Sequence, residues 1–250
     1  MKKLFLALSA TFVLTTSFYR DTDTETINTT PLLNNLNNPV NPTSALINEG
    51  STTLELYNSI DFTTVNKLDS DVFEKAFMGF TNLKKAGKVA ETANLLTVCD
   101  FSLSSTKKRL WVIDLNSKKV LFNALVAHGK NTGEEFATDF SNTESSLQSS
   151  MGFYITESTY NGENGYSLKL LGMDRGFNDN ALKRAIVMHG ADYVSEDFSK
   201  SHQRIGRSWG CPAVSRELAE PIINTIKGQN VLFVYYPDKN YLGSSEWLNS

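Results

Sequence analysis

From Leu95 onward the chain is cut into short apolar runs, and their length restricts the fold more than any other feature. "LLTVCDFSL", "RLWVIDL", "KVLFNALVAHG", "MGFYITES", "YSLKLLG", "RAIVMHG" and "VLFVYY" are rich in β-branched and aromatic residues. Each has strand length, and Asn, Ser, Gly and Asp punctuate the sequence between them. Asn116-Ser117-Lys118, between the second and third runs, predicts a hairpin. Two stretches have helical spacing instead. In Asp71 to Ala86, the residues Val72, Phe73, Ala76, Phe77, Phe80 and Leu83 recur on one face. Asp71 with Glu74 resembles a capping box, and Gly87 sits where the helix should stop. The second helix is expected from Ser215 to Lys227, with Ser215 as cap, Gly228 as stop and a kink or restart at Pro221. No internal repeat is present. The fold class is therefore α+β and β-rich, a mixed β domain with a few packed helices.

The start of the chain reads differently. "MKKLFLALSATFVLTTSFYR" has a basic beginning at Lys2 and Lys3, then an apolar run from Leu4 to Phe18. That run is short for a membrane span, so residues 1–18 are expected to be a secretory signal; an uncleaved anchor is the alternative. Residues 19–53 include "NTTPLLNNLNNPVNPTS", which buries little apolar surface and reads as a disordered Asn/Thr/Pro-rich leader. Residues 54–250 suffice for one domain with a sizeable core. The expected location is extracytoplasmic, in the periplasm or cell envelope, with no stable membrane span after signal cleavage. The net charge of −3 and the lack of a basic stripe argue against a nucleic-acid partner. Lys107, Lys108 and Arg109 form an isolated run, expected at a solvated strand entrance. Gly129 to Ser150 is polar, and a polar loop of that length in a compact domain is often functional.

The chain has two cysteines and three histidines. Cys99 lies in an alternating strand pattern and fits a small buried hydrophobe. Cys211, in "GRSWGCPAV", has Gly210 before it, Pro212 after it, and Arg204 and Arg207 nearby. Positive neighbours favour the thiolate, the nucleophilic form. From local residues two readings stand: a nucleophile, or half of a Cys99–Cys211 disulfide. A nucleophilic thiol needs a base. His189 and His128 each end an apolar run in His-Gly, a position that delivers a side chain to a rim. His202 lies in a polar loop and is expected to be exposed. No cluster of His, Cys and carboxylates has metal-ligand spacing, so neither a metal nor another cofactor is expected.

The run "RAIVMHGADYV … GRSWGCPAV" resembles the catalytic segment of YkuD-type L,D-transpeptidases. It is most similar to the divergent branch known as the murein L,D-transpeptidase catalytic domain family. The match falls on His189, Ser208, Gly210 and Cys211, and the ordered similarity extends from about Phe73 to Tyr236. Trp209 stands where the wider family has histidine, and Pro212-Ala213 replaces its polar continuation. The resemblance implies an L,D-transpeptidase-like mixed β domain acting on peptidoglycan stem peptides through a thioester. In that reading Cys211 is the nucleophile and His189 its proton-transfer partner, with the Gly190 carbonyl orienting the imidazole. The N–H groups of Gly210 and Cys211 would face the oxyanion. Arg207 and Ser208 would shape the substrate pocket, with Arg207 on a substrate carboxylate. His128 would face the substrate or support the site, and Trp209 would be a lid or a core anchor. Two other readings remain: a different cysteine peptidase, which the late position of the cysteine and the His-before-Cys order disfavour, and a non-catalytic cell-wall binding module with the two cysteines bridged.

Overall fold

The apolar runs assemble into one mixed sheet. In the computed structural model, residues 52–250 are described, and they fall within a single unit, Asn41–Ser250. The expected signal and nearly all of the expected leader lie outside the described residues. The first element is a helix, α1, over 52–59, which takes in residues 52 and 53 of the stretch assigned to the leader. There follow α2 (Ser70–Lys85), β1 (Leu95–Asp100), β2 (Leu110–Asp114), β3 (Lys119–Ala124), β4 (Gly152–Gly162), β5 (Gly165–Gly172) and β6 (Val187–Gly190). The remainder is α3 (Glu196–His202), β7 (Ala213–Val214), α4 (Arg216–Ile226), β8 (Val231–Tyr235) and α5 (Lys239–Ser244). The eight strands run in the order β3-β2-β1-β8-β4-β5-β6-β7. The β1–β8 and β6–β7 pairs are parallel and the others antiparallel.

Alternation along the strands divides the core. Leu96, Val98, Trp111, Ile113, Phe153, Val231 and Phe233 pack with α2 through Val72, Phe73, Ala76, Phe80 and Leu83. Their neighbours Cys99, Leu110, Val112, Tyr154, Leu232 and Val234 point to the other face and meet α4 through Ala219, Ile222, Ile223 and Ile226. Beyond β3 the chain curls back: Ala127 N–H donates to the Ala213 carbonyl at 2.8 Å, and Gly129 bridges Ser208. The two ends of the sheet are thereby joined around the second core. A buried carboxylate fastens the C-terminal segment. Asp174 accepts from the Phe153 N–H at 2.6 Å, from the Tyr241 hydroxyl at 3.4 Å and from Ser245.

Four local expectations change. The cap of α2 is Asp69, not Asp71; its carboxylate accepts from the Asp71 and Val72 N–H groups, while Gly87 follows the helix in the left-handed conformation. Helix α4 runs through Pro221 without restarting. Pro221, Glu217 and Glu220 are all on its exposed side, so water can satisfy the carbonyl that loses its partner. Ser215 precedes α4 but makes no side-chain cap. Arg109 is not at a solvated entrance: it is 0% exposed. Its guanidinium lies 4.6 Å from the Phe101 ring centroid and donates to the Val126 and Leu103 carbonyls. The hairpin between β2 and β3 forms as expected, with Asp114 accepting from the Asn116 and Ser117 N–H groups and Lys118 left-handed.

Candidate active site

The apolar run "RAIVMHG" becomes β6, which carries His189 into the sheet between β5 and β7, paired with Ser167 on one side and Ala213 on the other. The His189 ring is buried. Its Nδ1 lies 3.1 Å from the Gly190 carbonyl oxygen. A carbonyl only accepts, so Nδ1 carries the proton and Nε2 keeps its lone pair. Gly190 permits this strand end to press on α4, since a Cβ there would lie 2.9 Å from Ala219 Cβ and 3.1 Å from Arg216 Cα. Burial, aided by the Arg216 charge and opposed by the Gly190 bond, holds the imidazole below its ordinary pKa. It is therefore neutral near pH 7.

Cys211 enters from a loop whose backbone is fixed at several points. Ser208 N–H donates to the His128 carbonyl at 3.0 Å, and Lys130 N–H to the Ser208 carbonyl at 2.7 Å. The Ser208 hydroxyl then closes the turn: it accepts from Gly210 N–H at 3.0 Å and donates to the Cys211 carbonyl at 2.6 Å. Gly210 has φ of 124°, a conformation that demands glycine. Its carbonyl accepts from Ser149 Oγ at 3.0 Å, and Ser149 Oγ in turn accepts from Gly129 N–H at 3.0 Å. The Gly210 N–H is thus committed to Ser208, contrary to its expected place facing an oxyanion. The Cys211 N–H meets no partner among the described residues.

The sulfur itself rests against the segment before His189. Val187 N–H donates to Cys211 Sγ at 3.5 Å, and the thiol donates to the Ala185 carbonyl at 3.8 Å. Burial pushes the Cys211 thiol up, while the Val187 N–H and the Arg184 charge oppose that rise. Both cysteines are free, which removes the bridged-cysteine reading. Cys99 is buried in β1 with its thiol pushed up to about 12, chiefly by burial. The sheet register sets His189 beside Ala213, just past Cys211. The resting site therefore pairs a neutral thiol with a neutral imidazole, and no hydrogen bond links Cys211 Sγ to the ring.

The four residues assigned to substrate are placed as follows, with one of the two alternatives left for His128 and for Trp209. His128 is 1% exposed, with Nδ1 accepting from Arg109 Nη2 at 2.7 Å and Nε2 donating to the Gly133 carbonyl at 3.2 Å. Both nitrogens are occupied within the fold, so it does not face substrate; burial first, then Arg109, pushes it down to about 4. Arg207 already holds a carboxylate, that of Glu134 at 2.6 Å, along with the Lys130 and Gly133 carbonyls. Arg204 shares Glu134 at 3.0 Å, so neither arginine is the charge acting on Cys211. Trp209, two residues before Cys211, is 78% exposed and anchors no core. Ser208, buried, acts on the backbone rather than lining a pocket. His202 is exposed, stacked on Phe198.

Sequence reasoning missed Arg184 and Ser149. Arg184 was visible as the first letter of "RAIVMHG", but nothing in its neighbours marks it out. Ser149 lies in the polar loop, where only the contact across to Gly210 gives it a role. Among the described residues no group of three or more His, Cys, Asp and Glu could hold a metal, and no helix is long and apolar enough to cross a membrane.

Fold and site together define a mixed β domain with a thiol and an imidazole at one edge of its sheet. The family model for the L,D-transpeptidase catalytic domain matches residues 64–235, well over half of the chain, and the chain belongs to that family. Solved structures similar to it include an L,D-transpeptidase from Mycobacterium smegmatis, 13% identical over 58% of this chain and 59% of that one, with a TM-score of 0.36. Another is an L,D-transpeptidase from Stackebrandtia nassauensis, 12% identical over 76% of this chain and 92% of that one, TM-score 0.36. A third is the helical cell shape determining protein Pgp2 from Campylobacter jejuni, 14% identical over 66% and 56%, TM-score 0.38. The chain thus spans about six-tenths of the length of the first of these. Among curated proteins no sequence matches this chain.

Proposed function

We propose that this protein is a cysteine-dependent L,D-transpeptidase of peptidoglycan, working outside the cytoplasm on tetrapeptide stems. The observation that carries the reading is the pinned tautomer of His189: with Nδ1–H given to Gly190, only Nε2 is left to take a proton. Substrate entry draws the thiol proton from Cys211 to His189 Nε2. The thiolate then attacks the carbonyl of the stem's third residue. The Cys211 N–H, without a partner among the described residues, receives the developing oxyanion in this reading. The C–N bond breaks, D-alanine leaves with the proton from His189, and a thioester remains. An amine of a second stem attacks the thioester, gives its proton to His189 and restores the thiol. Water in place of the amine yields a trimmed tripeptide, which is carboxypeptidase activity.

The test uses the purified protein with tetrapeptide and pentapeptide muropeptides, read by mass spectrometry. Loss of D-alanine from the tetrapeptide with formation of dimers, both absent in Cys211→Ser, is the expected result. Trimmed monomers alone would reassign it as a carboxypeptidase. No reaction of either stem, with cleavage of an unrelated protein such as casein, would replace the reading by a general cysteine peptidase.

A further inference from the structure

We infer that Arg184 is the positioning residue that holds the Cys211 thiolate: a cation whose counter-ion is created only when that thiol ionises. The inference rests on the reading of Cys211 as the nucleophile. Arg184 is half-buried and its guanidinium is surrounded by neutral groups. Nη1 donates to the Ser141 carbonyl at 2.8 Å and to Ser150 Oγ, and Nη2 to the Gln148 carbonyl at 2.7 Å and Ser146 Oγ at 3.1 Å. Nε is buried without a partner. No carboxylate pairs with Arg184 among the described residues. Taking a guanidinium partly out of water without an anion is costly. Four neutral acceptors could anchor the 141–150 loop equally well to an uncharged donor.

The groups that respond to the charge are Tyr154 and Cys211. Burial keeps the Tyr154 phenol neutral, far above its usual range. Cys211 is left, and the backbone connects the two directly. Ala185, next to Arg184, has φ of 55° and turns its carbonyl to the thiol. The Gln148 carbonyl that Nη2 grips lies where a Cβ on Gly210 would come within 2.6 Å. Each other ionisable group near the site is neutral or already paired. His189 on β6 is neutral. Tyr193, after β6, is pushed up to about 12 by burial and by the thiolate. Arg216 on α4 pairs with Asp192 at 2.6 Å, and Arg204 and Arg207 share Glu134. The segment from Arg184 to His189 therefore supplies one sulfur with a charge, an acceptor at Ala185, a donor at Val187 and a base.

The experiment is iodoacetamide alkylation of Cys211, followed by mass spectrometry from pH 6 to 11.5, in the intact protein and in Arg184→Gln, Arg184→Lys and Ser146→Ala. Removing a nearby opposite charge raises a thiol pKa by about one unit, about tenfold slower alkylation at pH 7. Arg184→Gln should show that shift in midpoint. Arg184→Lys should keep the native midpoint, and so should Ser146→Ala, which loosens the loop but leaves the charge. A native midpoint in Arg184→Gln, or an equal shift in Ser146→Ala, overturns the inference. If Arg184→Gln does not fold, Arg184→Lys decides: a midpoint raised by a full unit refutes a role for the charge. Because the readout is the thiol itself, a shift with no muropeptide turnover would uphold Arg184 and refute the transpeptidase reading.

Discussion

His128 and His189 each precede a glycine at the end of an apolar run, and only their hydrogen bonds separate them. His128 has Arg109 on one nitrogen and the Gly133 carbonyl on the other; His189 has Gly190 on Nδ1 and nothing on Nε2. His189→Ala should therefore lower the rate of acylation by about 10²–10⁴-fold, the range for loss of a general base, a loss far beyond any effect of its change in stability. His128→Gln should do the reverse: it breaks a buried network at a cost of about 1–3 kcal/mol, while acylation stays within about tenfold of native. Equal kinetic losses at both positions would reject this division. The acid limb belongs here too. Burial and Arg216 hold His189 below 6.5, so the acid limb of the acylation rate should have its midpoint below that value. His189 and Cys211 were legible in sequence as candidates because strand-end His-Gly and Gly-Cys-Pro are local patterns. The division of labour was not, since Arg109 stands next to two lysines and gives no sign of being buried. The same holds for the charge on the thiol: Arg204 and Arg207 are near Cys211 in sequence, yet both turn to Glu134.

Every apolar run read as a strand is one, because period and β-branching are properties of the run itself. Shorter elements escaped. β7 is two residues, Ala213–Val214, and exists only because His189 and Gly190 lie beside it. α3 buries none of its residues, so it has no apolar stripe to read. The cap of α2 was displaced because two aspartates, Asp69 and Asp71, compete, and only the side chain of the first reaches back over free N–H groups. Pro221 gives the sharpest element-scale test. It removes one helical bond on the exposed face of α4. Pro221→Ala restores the donor, but loosens the unfolded chain by about 0.4–1 kcal/mol. Set against a penalty of about 3 kcal/mol for proline inside a helix, the variant should be stabilised by about 2–2.5 kcal/mol in urea melts. A lower midpoint would mean that the helix gains from the proline ring.

At the scale of the whole molecule, two buried groups oppose each other in acid. Asp174 is pushed up from 3.8 to about 6, chiefly by burial, so between those values the folded chain keeps a proton that the unfolded chain has lost. Acidification through that window stabilises. His128 is pushed down from 6.5 to about 4, so the unfolded chain takes a proton that the folded chain refuses. Acidification through that window destabilises. Each shift is worth about 3 kcal/mol at full effect, and over most of pH 4–6 the two offset. Asp174→Asn should therefore make stability fall more steeply than native on acidification, and His128→Gln should make it fall less. Urea melts at pH 4, 5, 6 and 7 decide it; parallel curves for all three proteins would show that neither group titrates as its surroundings dictate. The sheet order has another consequence, one of timing. β8 follows every other strand in the chain yet sits between β1 and β4. While the chain is being made, β1–β3 and β4–β7 can meet only at their outer ends, through Ala127 and Ala213, and their facing edges stay bare. The Asp174 clasp, made by Tyr241 and Ser245, cannot close before β8 is in place. A chain still emerging from the ribosome therefore has its thiol and its histidine but not the frame that holds them, and the chemistry waits for the last strand.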